Sequence, residues 1–191
     1  MSLLKVKTKR IMRILDFDIE NRPLTYMGND WTSAEITAIA ASFGIGEPVY
    51  CWLLPIDDPM EMLEGFRMLY DEADIVTGHY IRKHDLPIIN GARLEYQLPP
   101  LSAKLSSDTM LDLIKKKDIS ASQESLGAMF GLDEPKVHMN QANWRAANRF
   151  LHPELAKARV IGDVRQHQAL RLKLIEIGAL GSPRMWYSHR N

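Results

Sequence analysis

The sequence predicts an α/β protein, a mixed β-sheet flanked by α-helices, and three observations predict it. Residues 14–20 read ILDFDIE, in which Leu15, Phe17 and Ile19 alternate with Asp16, Asp18 and Glu20. A period of two is the side-chain repeat of a strand with one apolar and one acidic face. Three strand-like runs stand in succession before residue 55, around short turn signals, as in an antiparallel meander. After that, helical and strand-like periods alternate and the chain ends in helices, the order of a sheet with helices packed on it.

Residues 11–19 form the first strand, which Asn21-Arg22-Pro23 is expected to break. EITAIAASF (35–43) and PVYCWLL (48–54) are the second and third, around Gly44-Ile45-Gly46. Asp58-Pro59 is an N-cap followed by proline at the first helical position, and Leu63, Phe66, Leu69 and Ala73 continue at helical spacing. DIVTG (74–78) is a fourth strand. A helix runs from near Asp85 to about Glu95 and is closed by Leu98-Pro99-Pro100. A short fifth strand precedes Asp108, which opens a predicted helix, TMLDLIKKK, whose terminal Lys115, Lys116 and Lys117 suit the helix dipole. A further short helix covers 121–131, and a long one runs from near Pro153 to Gly178. Residues 1–180 read as one domain and 181–191 (GSPRMWYSHRN) as a polar tail expected to be partly disordered.

A chain of 191 residues suits one domain, or one with an appendage, and 46% hydrophobic residues are ample for a core. The 24 basic and 24 acidic residues cancel, which argues against wrapping nucleic acid by bulk charge while leaving room for a local basic rim. Single Cys51 excludes a disulfide framework and a cysteine zinc site; within VYCWLL it reads as a buried small hydrophobe. Six histidines without paired spacing do not suggest structural zinc, and no glycine-rich phosphate loop is present. The basic start MSLLKVKTKR has no apolar stretch after it, and no run is long enough to span a membrane, so a reducing, cytoplasmic setting is expected.

Three carboxylates along one strand face repel one another. A solvated edge strand tolerates that, but the apolar opposite face argues for a core strand, where the charge needs a cation. Hard divalent metals supply one through carboxylate oxygens. A two-metal site, with ions about 3.5–4 Å apart, draws acids from several elements. The strand offers Asp18 and Glu20. GHYIRKHDLP offers Asp85 at a helix start, and RVIGDVRQHQAL offers Asp163 near Val160, Leu170 and Leu174 at helical spacing. Taken singly, Asp85 also reads as a helix cap and Asp163 as a solvated or ion-paired acid; their joint order with the strand is what points to metal.

FDIE, then DEADIVTGHYIRKHDLPIING, then an aspartate in a late helix resemble the DEDD superfamily of 3′–5′ exonucleases. The resemblance covers about residues 11–175 and is strongest to compact members found in phage genomes, related to the proofreading domains of family B polymerases. It implies a ribonuclease H-like fold, with Asp18, Glu20, Asp85 and Asp163 holding two Mg²⁺ or Mn²⁺ ions. The implied activity is hydrolysis of phosphodiester bonds from 3′ ends, with DNA the expected substrate. The implied partners are single-stranded nucleic acid or 3′ ends, with replication or recombination proteins beside them and the host cytoplasm as the setting of a phage-encoded member. Asp108 matches a supporting aspartate, and KVHMNQANW matches a stretch near the substrate, making Lys136 and His138 candidate contacts.

The chain departs from this pattern. Members carry a tyrosine four residues before the final aspartate or a histidine five before it; here stand Arg159 and Ala158. Arginine cannot act as a base near neutral pH, though it can hold a phosphate. His167, one turn after Asp163, is the alternative base, or a core histidine. Tyr80 and His84 replace the usual asparagine and phenylalanine, and Asp16 is an extra acid. Asp16 sits about 6–7 Å behind Asp18 on the same strand face. A pair with Arg159 or His167 is therefore expected. Arg82 and Lys83 are candidate phosphate contacts, and Trp31, Tyr80 and Trp144 candidate stacking surfaces. Two other readings stand beside the exonuclease. One is a nucleic-acid- or protein-binding module of little activity, favoured by Arg159; the other is a structure-specific endonuclease.

Overall fold

The computed structural model describes residues 11–23, 34–115, 118–132 and 139–188. Six strands form one mixed sheet: β1 (Ile14–Pro23), β2 (Ala34–Ser42), β3 (Tyr50–Leu53), β4 (Ile75–Gly78), β5 (Lys104–Asp108) and β6 (Arg184–Trp186). Their order across the sheet is β3-β2-β1-β4-β5-β6. The meander β1–β2–β3 is antiparallel, β4 and β5 join β1 in parallel, and β6 closes the far edge antiparallel. The helices are α1 (Pro59–Glu72), α2 (Asp85–Glu95), α3 (Gln123–Met129), α4 (Gln141–Asn148) and α5 (Pro153–Glu176). None is long and apolar enough to cross a membrane.

The alternation in β1 sorts the two faces. Leu15, Phe17 and Ile19 enter a core with Leu63, Phe66 and Tyr70 of α1 and Leu86 and Ile89 of α2. Each such side chain, fully buried, contributes roughly 1.5–3 kcal/mol. The Phe17 and Phe66 rings meet at 5.0 Å between centroids. Across the sheet, α5 lies on β1, β2 and β3. Ser42, Ala40 and Ala38 of β2 stand opposite Asp16, Asp18 and Glu20 in the antiparallel register. Ala38 and Ala40 pack against Ala156, Val160 and Val164 of α5. A row of small residues beside the acidic row lets the helix approach closely.

The helix α1 begins as the sequence predicts: Asp58 accepts hydrogen bonds from the amides of Met60 at 2.8 Å and Glu61 at 3.2 Å, with Pro59 next. Three expectations need correction, and one element is new. β1 does not break at Asn21-Arg22-Pro23 but runs on to Pro23, because a bulge between Glu20 and Asn21 absorbs the irregularity. The helix expected after Asp108 is a turn, closed by the Asp112 amide on the Asp108 carbonyl at 2.8 Å. Leu113 then bridges to Leu180, which draws the chain out of helical geometry. The segment read as a polar tail supplies β6, whose Trp186 is buried in the core beneath the sheet edge. Residues 141–148, not assigned in the sequence, form α4, capped by the Asn140 side chain on the Asn143 amide at 2.8 Å.

A candidate metal centre between β1 and α5

Asp18 and Glu20 project from β1 toward α5, and α5 brings Asp163 to meet them. One carboxylate oxygen from each of the three lies within 4.8 Å of the others. Asp163 and Glu20 are close to fully buried and Asp18 is half-buried. α3 fixes this stretch of α5, since the Gln123 side-chain amide donates to the Asp163 carbonyl at 3.0 Å and to Gln166 at 3.2 Å.

Asp85 is the first residue of α2, and its carboxyl is buried. It is not among the three that meet within 4.8 Å, yet its charge acts on Asp18. The turn that delivers it is tightly made. Asp108 accepts hydrogen bonds from the amides of Tyr80, Met110 and Leu111 at 3.0 Å and of Arg82 at 3.1 Å. These bonds hold Tyr80 at φ 69°, a left-handed conformation that costs a tyrosine roughly 1–2 kcal/mol. Gly78 is required just before it: a Cβ there would lie 2.3 Å from Ile81 and 2.7 Å from the Phe17 carbonyl oxygen. Asp108 thus supports the turn and does not join the cluster.

The electrostatics mark the site. Burial holds the Asp18 carboxyl well above the usual carboxylate range, reinforced by the charges of Asp85, Asp163 and Glu20 and opposed by Arg159. Burial likewise pushes Asp85 up to about 7, against hydrogen bonds from its own amide and that of Ile19, while Asp108 adds repulsion. Converging oxygen donors suit a hard divalent cation, which Asp18, Glu20 and Asp163, with Asp85 beside them, would hold.

The remaining candidates lie as follows. Arg159, one turn before Asp163, places Nε 2.7 Å from Asp163 Oδ2 and 3.6 Å from Glu20 Oε1. It also lines a cleft of ≈ 410 Å³ with Leu132, Met139, Trp144 and Gln166. His167 is turned to Asp16: its Nδ1 donates to Asp16 Oδ1 at 3.0 Å, and the ring is 2% exposed. Arg171, which the sequence reading does not name, donates to both oxygens of Asp16 at 2.9 Å. Its signal was present in the sequence, as the next residue at a spacing of four after Asp163 and His167. Tyr80 and Lys83 are exposed on the turn before Asp85, while Arg82 is engaged by Asp112. Lys136, His138 and Trp31 lie outside the described residues.

No protein-family model matches this chain, and no curated protein does. Among solved structures, the family B DNA polymerase of the hyperthermophilic archaeon Pyrobaculum calidifontis is similar, with a TM-score of 0.65 at 16% identity over 87% of this chain. The match takes in 25% of the polymerase, so this chain spans about a quarter of that protein's length. A likeness at this identity concerns the fold. It bears out the expected ribonuclease H-like α/β architecture, a mixed sheet with helices on both faces.

Proposed function

We propose that this chain is a divalent-metal-dependent nuclease that removes nucleotides from 3′ ends, with DNA as substrate. The observation that carries the reading is the meeting of Asp18 and Glu20 from β1 with Asp163 from α5 within 4.8 Å. The resemblance of the sequence motifs to DEDD exonucleases and the fold likeness to a family B polymerase support it.

In this reading Asp18, Glu20, Asp163 and Asp85 are the metal-binding acids. A divalent ion held by these acids would supply Lewis-acid activation of the attacking water and charge neutralisation at the leaving 3′ oxygen. The protein supplies the position. β1 and α5 hold the acids at fixed separation, and the Asp108-capped turn sets Asp85. In this reading Lys83 and Tyr80, exposed beside that turn, would touch the nucleic-acid strand, and Trp144 lines a cleft where an unpaired base would stack. Lys136 and His138 remain proposed contacts from the sequence resemblance. We assign His167 to holding Asp16 in place and not to acting as the base.

End-labelled single-stranded, duplex and circular DNA, each with Mn²⁺, Mg²⁺ or EDTA, tests the proposal. Metal-dependent release of mononucleotides from 3′ ends is expected. Cutting of circles would indicate an endonuclease. Binding without cleavage would favour the second reading, a nucleic-acid- or protein-binding module. One observation favours that module: Arg159 already contacts two of the acids.

A further inference from the structure

Resting on the metal reading above, we propose that Arg159 takes the place of one of the two cations that the meeting carboxylates of Asp18, Glu20 and Asp163, with Asp85 beside them, would otherwise need, so that the site holds a single divalent ion. The guanidinium lies 2.7 Å from Asp163 and 3.6 Å from Glu20. It therefore joins an acid from α5 to an acid from β1, the same two elements that a metal at this site must join.

With Arg159 in the cluster, charge balance no longer calls for a second ion. Asp18, Glu20, Asp85 and Asp163 ionised carry four negative charges, which two divalent ions cancel. With Arg159 in the cluster, one divalent ion leaves one negative charge, whereas two leave a positive one. That excess would sit in a half-buried site, where like charges a few ångströms apart repel strongly. A tyrosine at this position adds no charge. Arginine keeps its charge at every accessible pH and cannot neutralise itself to admit a second ion. Nor is it easily displaced: it stands one helical turn from Asp163 on the same face of α5, and its side chain is only 18% exposed. The cluster thus contains its own fixed cation, and one divalent ion would complete it.

The test is titration of Mn²⁺ into the full chain and into Arg159→Met and Arg159→Lys, followed by calorimetry and electron paramagnetic resonance. The expected result is one tightly bound Mn²⁺ in the wild type and in Arg159→Lys, with the spectrum of an isolated ion. Arg159→Met should bind two, the second at least about tenfold more tightly than any second ion in the wild type, with the signal broadened by coupling between them. Two ions of similar affinity in the wild type would overturn the inference while leaving the metal reading intact. So would a single ion in an Arg159→Met protein whose near-ultraviolet circular dichroism is native. No saturable uptake in any of the three, as in an Asp18→Asn control, would overturn the metal reading and the inference with it.

Discussion

Asp16 and Asp18 lie two residues apart on one face of one strand, and the fold treats them oppositely. Burial raises the tendency of Asp16 to hold a proton, but the His167 hydrogen bond and charge, together with Arg171, outweigh it and bring its pKa below the ordinary carboxylate value. Asp18 is less buried, yet burial and three neighbouring carboxylates hold it well above that value, with Arg159 opposing them. Both acids face α5. The helix delivers His167 and Arg171 to the first and another acid to the second. Asp16 is closed as part of the structure, whereas Asp18 is left with an electrostatic deficit that a proton or an added cation would relieve. The difference separates a charge that the fold has satisfied from one that it leaves unsatisfied.

The largest effect that would break this comparison is on activity. Asp18→Asn should lower metal-dependent cleavage by at least about 10³-fold, equivalent to roughly 4 kcal/mol of transition-state stabilisation. Its metal-free stability should stay equal or rise by about 1 kcal/mol, because a like charge is removed. A cleavage rate within tenfold of wild type would remove Asp18 from the site. Asp16→Ala should do the reverse. It leaves His167 and Arg171 buried without their carboxylate and should cost roughly 3 kcal/mol in denaturant unfolding. A loss under 1 kcal/mol would mean that the buried triad is not structural.

The pH dependence of metal-free stability sharpens the contrast, because the two acids contribute with opposite sign. The contribution of Asp16, whose folded pKa is lowered, is fully present above the ordinary carboxylate value and is lost as pH falls through the lowered one. Asp18 and Asp85 are raised, so over the interval from about 4 to about 7 the folded state binds more protons than the unfolded chain. Stability should therefore decline as pH rises through that interval, by up to about 1.4 kcal/mol per pH unit for each proton involved. Saturating Mn²⁺ should remove the decline. Melting temperatures across pH, with and without metal, check this, and a metal-free profile that rises from pH 4 to 7 would contradict it. At the small end, the exposed pair of Lys173 and Glu176 on the same helix, 3.0 Å apart, should contribute less than about 0.5 kcal/mol in a double-mutant cycle. A larger coupling would show that exposure does not divide the charges of α5 as supposed.

Much of this arrangement was legible in the sequence because it rests on local chemistry. The period of two in ILDFDIE, the Asp58-Pro59 cap and the spacing of the Asp163 helix are written in neighbouring residues. The pairing of Asp16 with a cation from the last helix also followed, since a buried acid needs one. The choice between Arg159 and His167 was not legible. Arg159 takes Asp163 and Glu20, and His167 takes Asp16 with Arg171, which depends on how α5 is rotated over β1. The helix expected after Asp108 failed because long-range bonds override local propensity. The Asp108 carboxylate spends its capping capacity on Tyr80 and Arg82 as well as on its own turn, and Leu113 bridges to Leu180. A three-residue strand such as β6 has too few residues to show a period at all. Arg93, fully buried on α2 and donating to the carbonyls of Pro99 at 2.6 Å and Leu63 at 3.2 Å, gives no sign of itself in an ordinary charged helix sequence.

The most direct test of the central claim is anomalous diffraction from crystals of the protein soaked in Mn²⁺. The account predicts a peak among the carboxylates of Asp18, Glu20 and Asp163, with Asp16 still held by His167 and Arg171. Manganese bound elsewhere, or a cluster that stays metal-free at saturating Mn²⁺ with its acids in the same positions, would contradict it.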